Sequence, residues 1–312
     1  MDNTGAGRLD YRNILFEITD LPYYLNAANF YFKEVFYFMK KNFQSAAALT
    51  ECAVMIALAA VLSLIKIVDL PAGGSVTVAS MLPIAIVAYR HGIGYGFLSA
   101  TIYGLLQQLL GLSALSYVST WQSIVAVIFL DYIVAFAVIG LAGIFRKVIS
   151  HQALAICFGC FFVCLLRYAC HVIAGATVWA GLSIPSEAAM IYSLSYNATY
   201  MIPEAIILLV ISAYVGSNIN FESKRPSRMS RASLPQNIRW ISPVSGLIIV
   251  GAIIADTLLI FPKLQNVDSG EFDIGNLVTV NWTLVVMITA VALLIIASLF
   301  AIRGVLYQKS KT

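Results

Sequence analysis

Charged residues are the first thing that this sequence lacks. Of 312 residues, only 11% are Asp, Glu, Lys or Arg, whereas 60% are hydrophobic and the mean hydropathy is +0.87. Soluble domains carry roughly a quarter charged residues, because water must solvate their surface. With about half that share, the polar residues cannot cover a soluble particle of 33.9 kDa, and we expect lipid to be the solvent for most of the chain.

Three other features are missing. There is no long basic run with interleaved aromatic residues, which argues against a nucleic-acid partner. The five cysteines all lie in apolar stretches rather than in loops, which argues against a disulfide framework. Residues 1–20 mix acids and bases and lack the apolar centre of a signal peptide, so internal helices are expected to direct insertion.

The remaining sequence contains eight apolar segments of about the length that crosses a bilayer. A span needs roughly 20 residues, because each residue of a helix rises about 1.5 Å and the hydrocarbon core is about 30 Å thick. We predict spans at approximately 47–66, 74–89, 93–111, 121–145, 152–178, 188–215, 241–261 and 279–302. The predicted fold is therefore an all-α integral membrane protein with about eight spans.

Loop charges predict the orientation of these spans. Alternate connections are basic, with Lys40 and Lys41, Arg90 and His91, Arg146 and Lys147, five basic residues in 224–239, and three in 303–311. The connections between them carry no charge, balanced charge or acidic charge. Because basic residues collect on the cytoplasmic side, we predict a multi-pass protein of the cell membrane with both termini in the cytoplasm.

Composition divides the chain into four parts. Residues 1–46 form a leader, whose aromatic stretch Tyr23–Lys41 is expected to lie in the membrane interface or to cap the inner face of the bundle. Residues 47–216 form a six-helix membrane domain. Residues 217–240 form a basic cytoplasmic linker rich in serine and containing Pro226 and Pro235. Residues 241–312 form a two-helix C-terminal appendage.

Five polar or aromatic residues are predicted to lie at one depth in the membrane. Asp131 in the fourth span lies about ten residues, roughly 15 Å, below its outer end, and His171 in the fifth span lies at a similar level. Trp179, Tyr192 and Asn197 lie near the facing ends of the fifth and sixth spans. Ionisable groups inside a membrane are costly, so this set indicates a function.

The residue types favour binding of a flat, nitrogen-rich solute, either neutral or cationic. Asp131 can balance positive charge or accept from an exocyclic amine, and Asn197 can pair with a heteroaromatic edge. Trp179 offers a ring face for stacking or a cation–π contact. The alternative is that Asp131, His171 and Asn197 only bond one another between helices. Tyr192 and Asn197 lie about 140° apart on an ideal helix. Both therefore face one pocket only if the helix starts irregularly or the pocket wraps its end.

Two helical stripes are weighed separately. Cys157, Cys160 and Cys164 share a stripe, but one stripe on one helix cannot complete a tetrahedral site, so no metal or other cofactor is predicted. Ala53 and Ala57 form a small-residue face on the first span. Such a face permits close approach of a partner helix, or internal packing.

Five stretches of the sequence occur in an order and spacing typical of a known family. They are Leu49–Ala57, Gly73–Pro83, Leu130–Tyr132, Arg167–Gly175 with the following Trp179, and Tyr192–Asn197. Together they resemble the thiamine-specific substrate-capture (S) subunit of energy-coupling-factor (ECF) vitamin transporters. The resemblance covers roughly 45–217 and leaves out the leader and the last two spans.

The resemblance implies a six-helix bundle that holds thiamine near the outer face. The implied binding positions are Tyr132, His171, Trp179, Tyr192 and Asn197. Asp131 stands where the family usually has glutamate, and Gly73-Gly74 stand where some members have a tryptophan. Trp121 or Tyr117 is expected to replace that aromatic wall.

The family also implies how the solute is moved. Ala53 and Ala57 would dock on a shared transmembrane coupling subunit, which is driven by a pair of ATP-binding-cassette ATPases. The chain itself would be no enzyme. The predicted function is therefore capture of thiamine, or of a close heteroaromatic precursor, at the outer membrane face for ATP-driven uptake.

Two other classes of function compete with this prediction. A self-sufficient secondary transporter could couple proton movement to Asp131 or Glu204, but the sequence has no evident inverted repeat. A membrane-embedded transferase or hydrolase could use His171 and Asp131 as acid–base groups, but the sequence shows no nucleophile constellation or metal-ligand set.

Overall fold

A computed structural model of the chain describes residues 46–70, 73–118, 120–179, 186–223, 225–229, 238–264 and 272–309. The predicted interfacial leader, apart from Ala46, lies outside the described residues. The chain divides into two compact units, 1–49 and 50–312, and the fold below is that of the second unit.

The part of the chain that the structure describes is mostly helical, as its long apolar segments predict. The described helices are α1 (Ala46–Leu64), α2 (Leu82–His91), α3 (Ile93–Leu110), α4 (Trp121–Lys147), α5 (Gln152–Thr177), α6 (Glu187–Asn218), α7 (Ile241–Leu264) and α8 (Trp282–Lys309). Short 3₁₀ helices occupy Leu112–Tyr117 and Ile274–Thr279. Strands β1 (Lys66–Asp69) and β2 (Ser75–Thr77) form one antiparallel hairpin, and β3 (Ile219–Asn220) pairs with β4 (Ser227–Arg228) in another.

Six of the described helices are long and apolar enough to cross a membrane, namely α1, α4, α5, α6, α7 and α8. Within these helices Asp131, Arg167, Glu204 and Asp256 are buried, and the exposed charged residues Arg146, Lys147, Glu187 and Lys263 lie near helix ends. The predicted all-α integral membrane fold is confirmed. The count of eight spans and the orientation of the termini stay predictions.

The prediction of a helix over 74–89 is wrong in its first half. Residues 75–77 form β2, and α2 begins only at Leu82. Gly73 and Gly74 have φ values of 96° and 95°, a region that favours glycine and turns the chain back into the hairpin. With ten residues, α2 rises only about 15 Å. All its residues from Leu82 to Tyr89 are buried, so α2 is a core helix.

Helix α4 changes its winding along its length. It begins after Thr120, whose side chain accepts a hydrogen bond from the Ser123 backbone N–H at 3.2 Å. The first α-helical turns end at Val127, a π segment covers Ile128–Val134, a short α-helical turn covers Ala135–Ala137, and the last part, Val138–Lys147, is a 3₁₀ helix. Such π segments are frequent at functional sites. This one carries Asp131 and Tyr132.

Two apolar clusters hold the bundle together. The larger one joins α2, α4, α5 and α6 through buried side chains that include Ile84, Ile139, Ile156 and Leu208. The smaller one joins the β1–β2 hairpin to α6 and α7. Its buried members are Leu70, Val76, Tyr200, Met201, Ile207 and Phe261. The hairpin therefore packs both on α6, which belongs to the six-helix domain, and on α7, which belongs to the C-terminal appendage.

Part of the predicted linker is ordered against the bundle. The Gln152 side chain donates to the carbonyls of Gly216 and Ile219, each at 2.7 Å, and accepts from the Phe221 N–H at 2.8 Å. The Arg90 guanidinium donates to the Phe221 carbonyl and pairs with Glu51 of α1 at 2.5 Å. Strands β3 and β4 follow, so the chain leaves α6 along a fixed path.

Candidate functional site

A cavity of about 490 Å³ lies between the β1–β2 hairpin and helices α3, α4, α5 and α6. Sites for small organic ligands typically measure about 300–1,000 Å³ and combine apolar or aromatic walls with a few placed polar groups. Six of the predicted site residues line this cavity: Asp131, Tyr132, His171, Trp179, Tyr192 and Asn197.

Asp131 is the polar centre of the cavity wall. Its side chain is buried, and its Oδ1 lies 2.9 Å from His171 Nδ1. Its Oδ2 accepts a hydrogen bond from Trp179 Nε1 at 2.7 Å. The structure thus brings these three predicted residues into direct contact, from α4, from α5 and from the residues just after α5. A carboxylate has about four acceptor positions, so further positions stay open to a ligand.

Asn197 is held differently. Its amide nitrogen donates to the Ser193 carbonyl at 2.8 Å, and its Oδ1 accepts from the Tyr200 hydroxyl at 2.6 Å. These partners are on its own helix, so Asn197 does not bond Asp131 or His171. The alternative in which Asp131, His171 and Asn197 only bond one another between helices therefore explains the Asp131–His171 contact. It does not explain Asn197.

A broad face of α6 forms one side of the cavity. It contributes Tyr192, Ser193, Tyr196, Asn197, Tyr200 and Glu204. The helix is regular from Glu187, so an irregular start near Tyr192 is not the reason that Tyr192 and Asn197 share the cavity. They are instead the two edges of this face. Tyr192 is half-exposed at the rim, whereas Asn197 is buried.

The aromatic walls come partly from unexpected positions. Tyr132 stacks on Phe136 with ring centroids 6.3 Å apart and planes 7° apart. Tyr196 and Tyr200 also line the cavity, and their rings meet edge to face at 6.1 Å. Tyr200 packs so closely on Gly74 that a Cβ there would lie 2.7 Å from its ring. Tyr200 therefore occupies the space beside Gly73 and Gly74, the pair that stands where the resemblance led us to expect a tryptophan.

The structure does not bring Trp121 into the cavity. Trp121 is the first residue of α4 and is 70% exposed, and Tyr117 before it is 59% exposed. Ten residues separate Trp121 from Asp131, which is about 15 Å along a helix. The expectation that Trp121 or Tyr117 supplies the missing wall is corrected accordingly.

A buried ion pair outside the predicted set of site residues, Arg167 with Glu204, also lines the cavity. Arg167 Nη1 is 3.7 Å from Glu204 Oε2, and both side chains are buried. Arg167 Nη2 is 3.5 Å from His171 Nε2, and the guanidinium lies 4.5 Å above the centre of the Phe136 ring. Polar contacts thus run from Asp131 through His171 and Arg167 to Glu204.

Some of these residues carried a signal in the sequence. Tyr192, Tyr196 and Tyr200 repeat every four residues, which places them on neighbouring turns of one helix. Arg167 likewise precedes His171 by four residues. The hairpin has no such signal, because its glycine pair directly precedes an apolar run that is also typical of a span. Yet the hairpin forms one side of the cavity and is joined to α6 by the Tyr196 hydroxyl, which donates to the Gly73 carbonyl at 2.7 Å.

The cysteine stripe takes no part in this cavity. Cys160 and Cys164 are buried in the larger apolar cluster, and all five cysteines are free thiols. Among the residues that the structure describes, no three His, Cys, Asp or Glu side chains come together as metal ligands.

The fold and the cavity together define a class: a multi-pass α-helical membrane protein with a buried polar and aromatic site for a small organic solute. Residues 49–220 match the model of a family described as thiamine transporter protein. The chain belongs to this family of thiamine transporters, as predicted.

Two known proteins give the degree of similarity. Over 174 residues the chain is 34% identical to the thiamine transporter ThiT of Bacillus subtilis. The matched region covers 52% of this chain and 86% of that protein. A solved structure of ThiT from Listeria monocytogenes is 23% identical, with a TM-score of 0.45, and covers 54% of this chain and 92% of that one. The family is one of transporters, so the prediction that the chain is no enzyme is confirmed.

Proposed function

We propose that the chain binds thiamine in the cavity beside Asp131 and hands it over for ATP-driven uptake. The observation that carries this proposal is the Asp131 carboxylate, which is fixed by His171 and Trp179 in the wall of an aromatic cavity of about 490 Å³. Family membership supplies the identity of the solute. A close heteroaromatic precursor of thiamine could make the same contacts with the carboxylate and the aromatic rings.

The chemistry of thiamine matches the cavity. The vitamin joins a cationic thiazolium ring to an aminopyrimidine. An anionic wall residue balances the positive charge or accepts from the exocyclic amine, and charge-assisted bonds of this kind are the strong ones. Trp179, Tyr132 and Tyr196 offer ring faces to the cation. Asn197 has one acceptor position of its Oδ1 left for the ligand after its bond to Tyr200.

Delivery requires a partner, and α1 offers a surface for one. Ala53 and Ala57 are exposed, whereas Cys52, Ile56 and Ala59 on the other side of the helix are buried. Small side chains let another helix approach closely inside a membrane. We propose that this face docks on the transmembrane coupling subunit of an ECF module with its pair of ABC-type ATPases. The complex would work in the cytoplasmic membrane, with the cavity open to the outside.

The test separates binding from transport. Purified chain should bind thiamine without ATPases, and reconstituted vesicles should accumulate thiamine only with the coupling subunit, the ATPases and ATP. Ala57→Trp should abolish accumulation and keep binding, whereas Val291→Trp, at an exposed apolar position of α8, should keep both. Accumulation driven by a proton gradient alone would instead indicate a secondary transporter.

A further inference from the structure

The C-terminal appendage, α7 and α8, lies outside the matched residues 49–220 and yet reaches the cavity wall. Helix α7 contributes Phe261 to the smaller apolar cluster, which also contains Leu70 and Val76 of the hairpin region and Tyr200 of α6. After α7 the chain returns to the same place, because the Asp273 backbone N–H donates to the Leu264 carbonyl at 2.8 Å. The residue before Asp273 is Phe272.

Phe272 meets two tyrosines of the cavity wall. Its ring is edge-on to Tyr196, with centroids 4.9 Å apart and planes at 80°, and edge-on to Tyr192 at 6.0 Å and 86°. The two tyrosines are stacked on each other at 5.9 Å and 17°. Edge-to-face contact is the favourable arrangement for aromatic rings. Phe272 itself lies behind them, outside the cavity lining.

Tyr196 passes this support on to the hairpin. Its hydroxyl donates to the Gly73 carbonyl at 2.7 Å, and Gly73 and Gly74 line the cavity opposite α6. The appendage thus supports the α6 wall through Phe272 and the hairpin through Phe261. Neither residue touches the cavity, so any effect on a bound solute must pass through Tyr192, Tyr196 and the hairpin.

We propose that Phe272 is a positioning residue of the solute site: it holds Tyr192 and Tyr196 in place and so slows escape of the bound solute. The inference rests on the proposed function, because it assumes that this cavity holds thiamine. It also gives the last two helices a role in retention of the solute.

The experiment compares dissociation of thiamine from the full-length protein and its variants in detergent, followed by stopped-flow tryptophan fluorescence. Phe272→Ala should raise the dissociation rate about two- to tenfold, with a smaller change in the association rate. Phe272→Tyr, which keeps the ring edge, should stay within about twofold of wild type. Phe300→Ala, an exposed position of α8, is the matched control and should change neither rate.

A mutant cycle tests the route through the two tyrosines. If Phe272 acts through those rings, then Phe272→Ala should have little further effect in a Tyr192→Leu/Tyr196→Leu background. An unchanged dissociation rate in Phe272→Ala would overturn the inference, and so would equal effects of Phe272→Ala in the wild-type and Tyr192→Leu/Tyr196→Leu backgrounds. If wild-type protein itself failed to bind thiamine, the proposed function would fail first, and this result is separate from the variant comparison.

Discussion

Trp179 Nε1 donates a 2.7 Å hydrogen bond to Asp131 Oδ2, so a tryptophan two residues beyond the end of α5 and a carboxylate of α4 form one unit of the cavity wall. The same carboxylate contacts His171 at 2.9 Å through its other oxygen. The indole ring is therefore held against the charged group of the cavity wall. Its fluorescence should report directly on occupation of the site.

The charge of Asp131 is the first prediction. Asp131→Asn keeps the shape of the side chain but removes the charge, and a hydrogen bond to a charged group is worth about 1.5–3 kcal/mol. Thiamine affinity, measured by fluorescence quenching, should fall roughly ten- to hundredfold. Asp131→Glu keeps the negative charge and should bind within a few-fold of wild type. Wild-type affinity in the asparagine variant would show that Asp131 only bonds its neighbours.

The second prediction concerns the indole of Trp179. Trp179→Ala removes a ring face and a donor to Asp131, and loss of an aromatic or cation–π contact costs about 0.5–2 kcal/mol. Affinity should fall roughly two- to thirtyfold, measured by calorimetry because the fluorophore itself is lost. Trp121→Ala is the matched control, since that side chain is 70% exposed and outside the cavity. A larger loss in Trp121→Ala than in Trp179→Ala would place the site elsewhere.

The third prediction is that Arg167 and Glu204 depend on each other for stability. Arg167→Met leaves the Glu204 carboxylate buried without its counter-ion. Breaking a buried pair in this way typically costs about 3–5 kcal/mol. The free energy of unfolding in detergent should fall by about that amount. In Arg167→Met/Glu204→Gln the loss should be smaller than the sum of the two single losses, and strict additivity would argue against a coupled pair.

The fourth prediction tests the orientation that the loop charges indicate. Ser230→Cys in the basic linker should react with a membrane-impermeant thiol reagent only after the membrane is opened, and Ser269→Cys should react in intact cells. The unsubstituted protein is the control, because its five native thiols lie in apolar segments. Labelling of both positions from outside would overturn the model with eight spans and cytoplasmic termini.

Much of the site followed from a simple physical rule. A helix rises about 1.5 Å per residue, so counting from the span ends put Asp131 and His171 at one level, and the structure joins them. Trp179 and Asn197 line the same cavity. The depth of a residue follows from its sequence position once the span is known. Its partners do not, and Asn197 bonds its own helix instead of Asp131.

Other parts could not be derived from local pattern. The run 74–89 is mostly apolar. An apolar run of this length fits a spanning helix as well as a buried strand followed by a short buried helix, so the pattern alone does not distinguish them. Trp121 was expected in the wall from its residue type, but it stands at the exposed start of α4. Phe272 gave no signal at all, because its contacts with Tyr192 and Tyr196 cross about 80 residues of sequence.

The π segment Ile128–Val134 has a consequence for comparing this chain with its relatives. An α-helix turns about 100° per residue, and a π turn takes up one residue more than an α turn. The segment therefore accommodates a one-residue insertion without shifting the two helical halves on either side of it. A relative with an unbroken α-helix here would align correctly only with a one-residue gap inside 128–134. Deleting one residue from this segment would turn Asp131 or the residues beyond it towards a different neighbour.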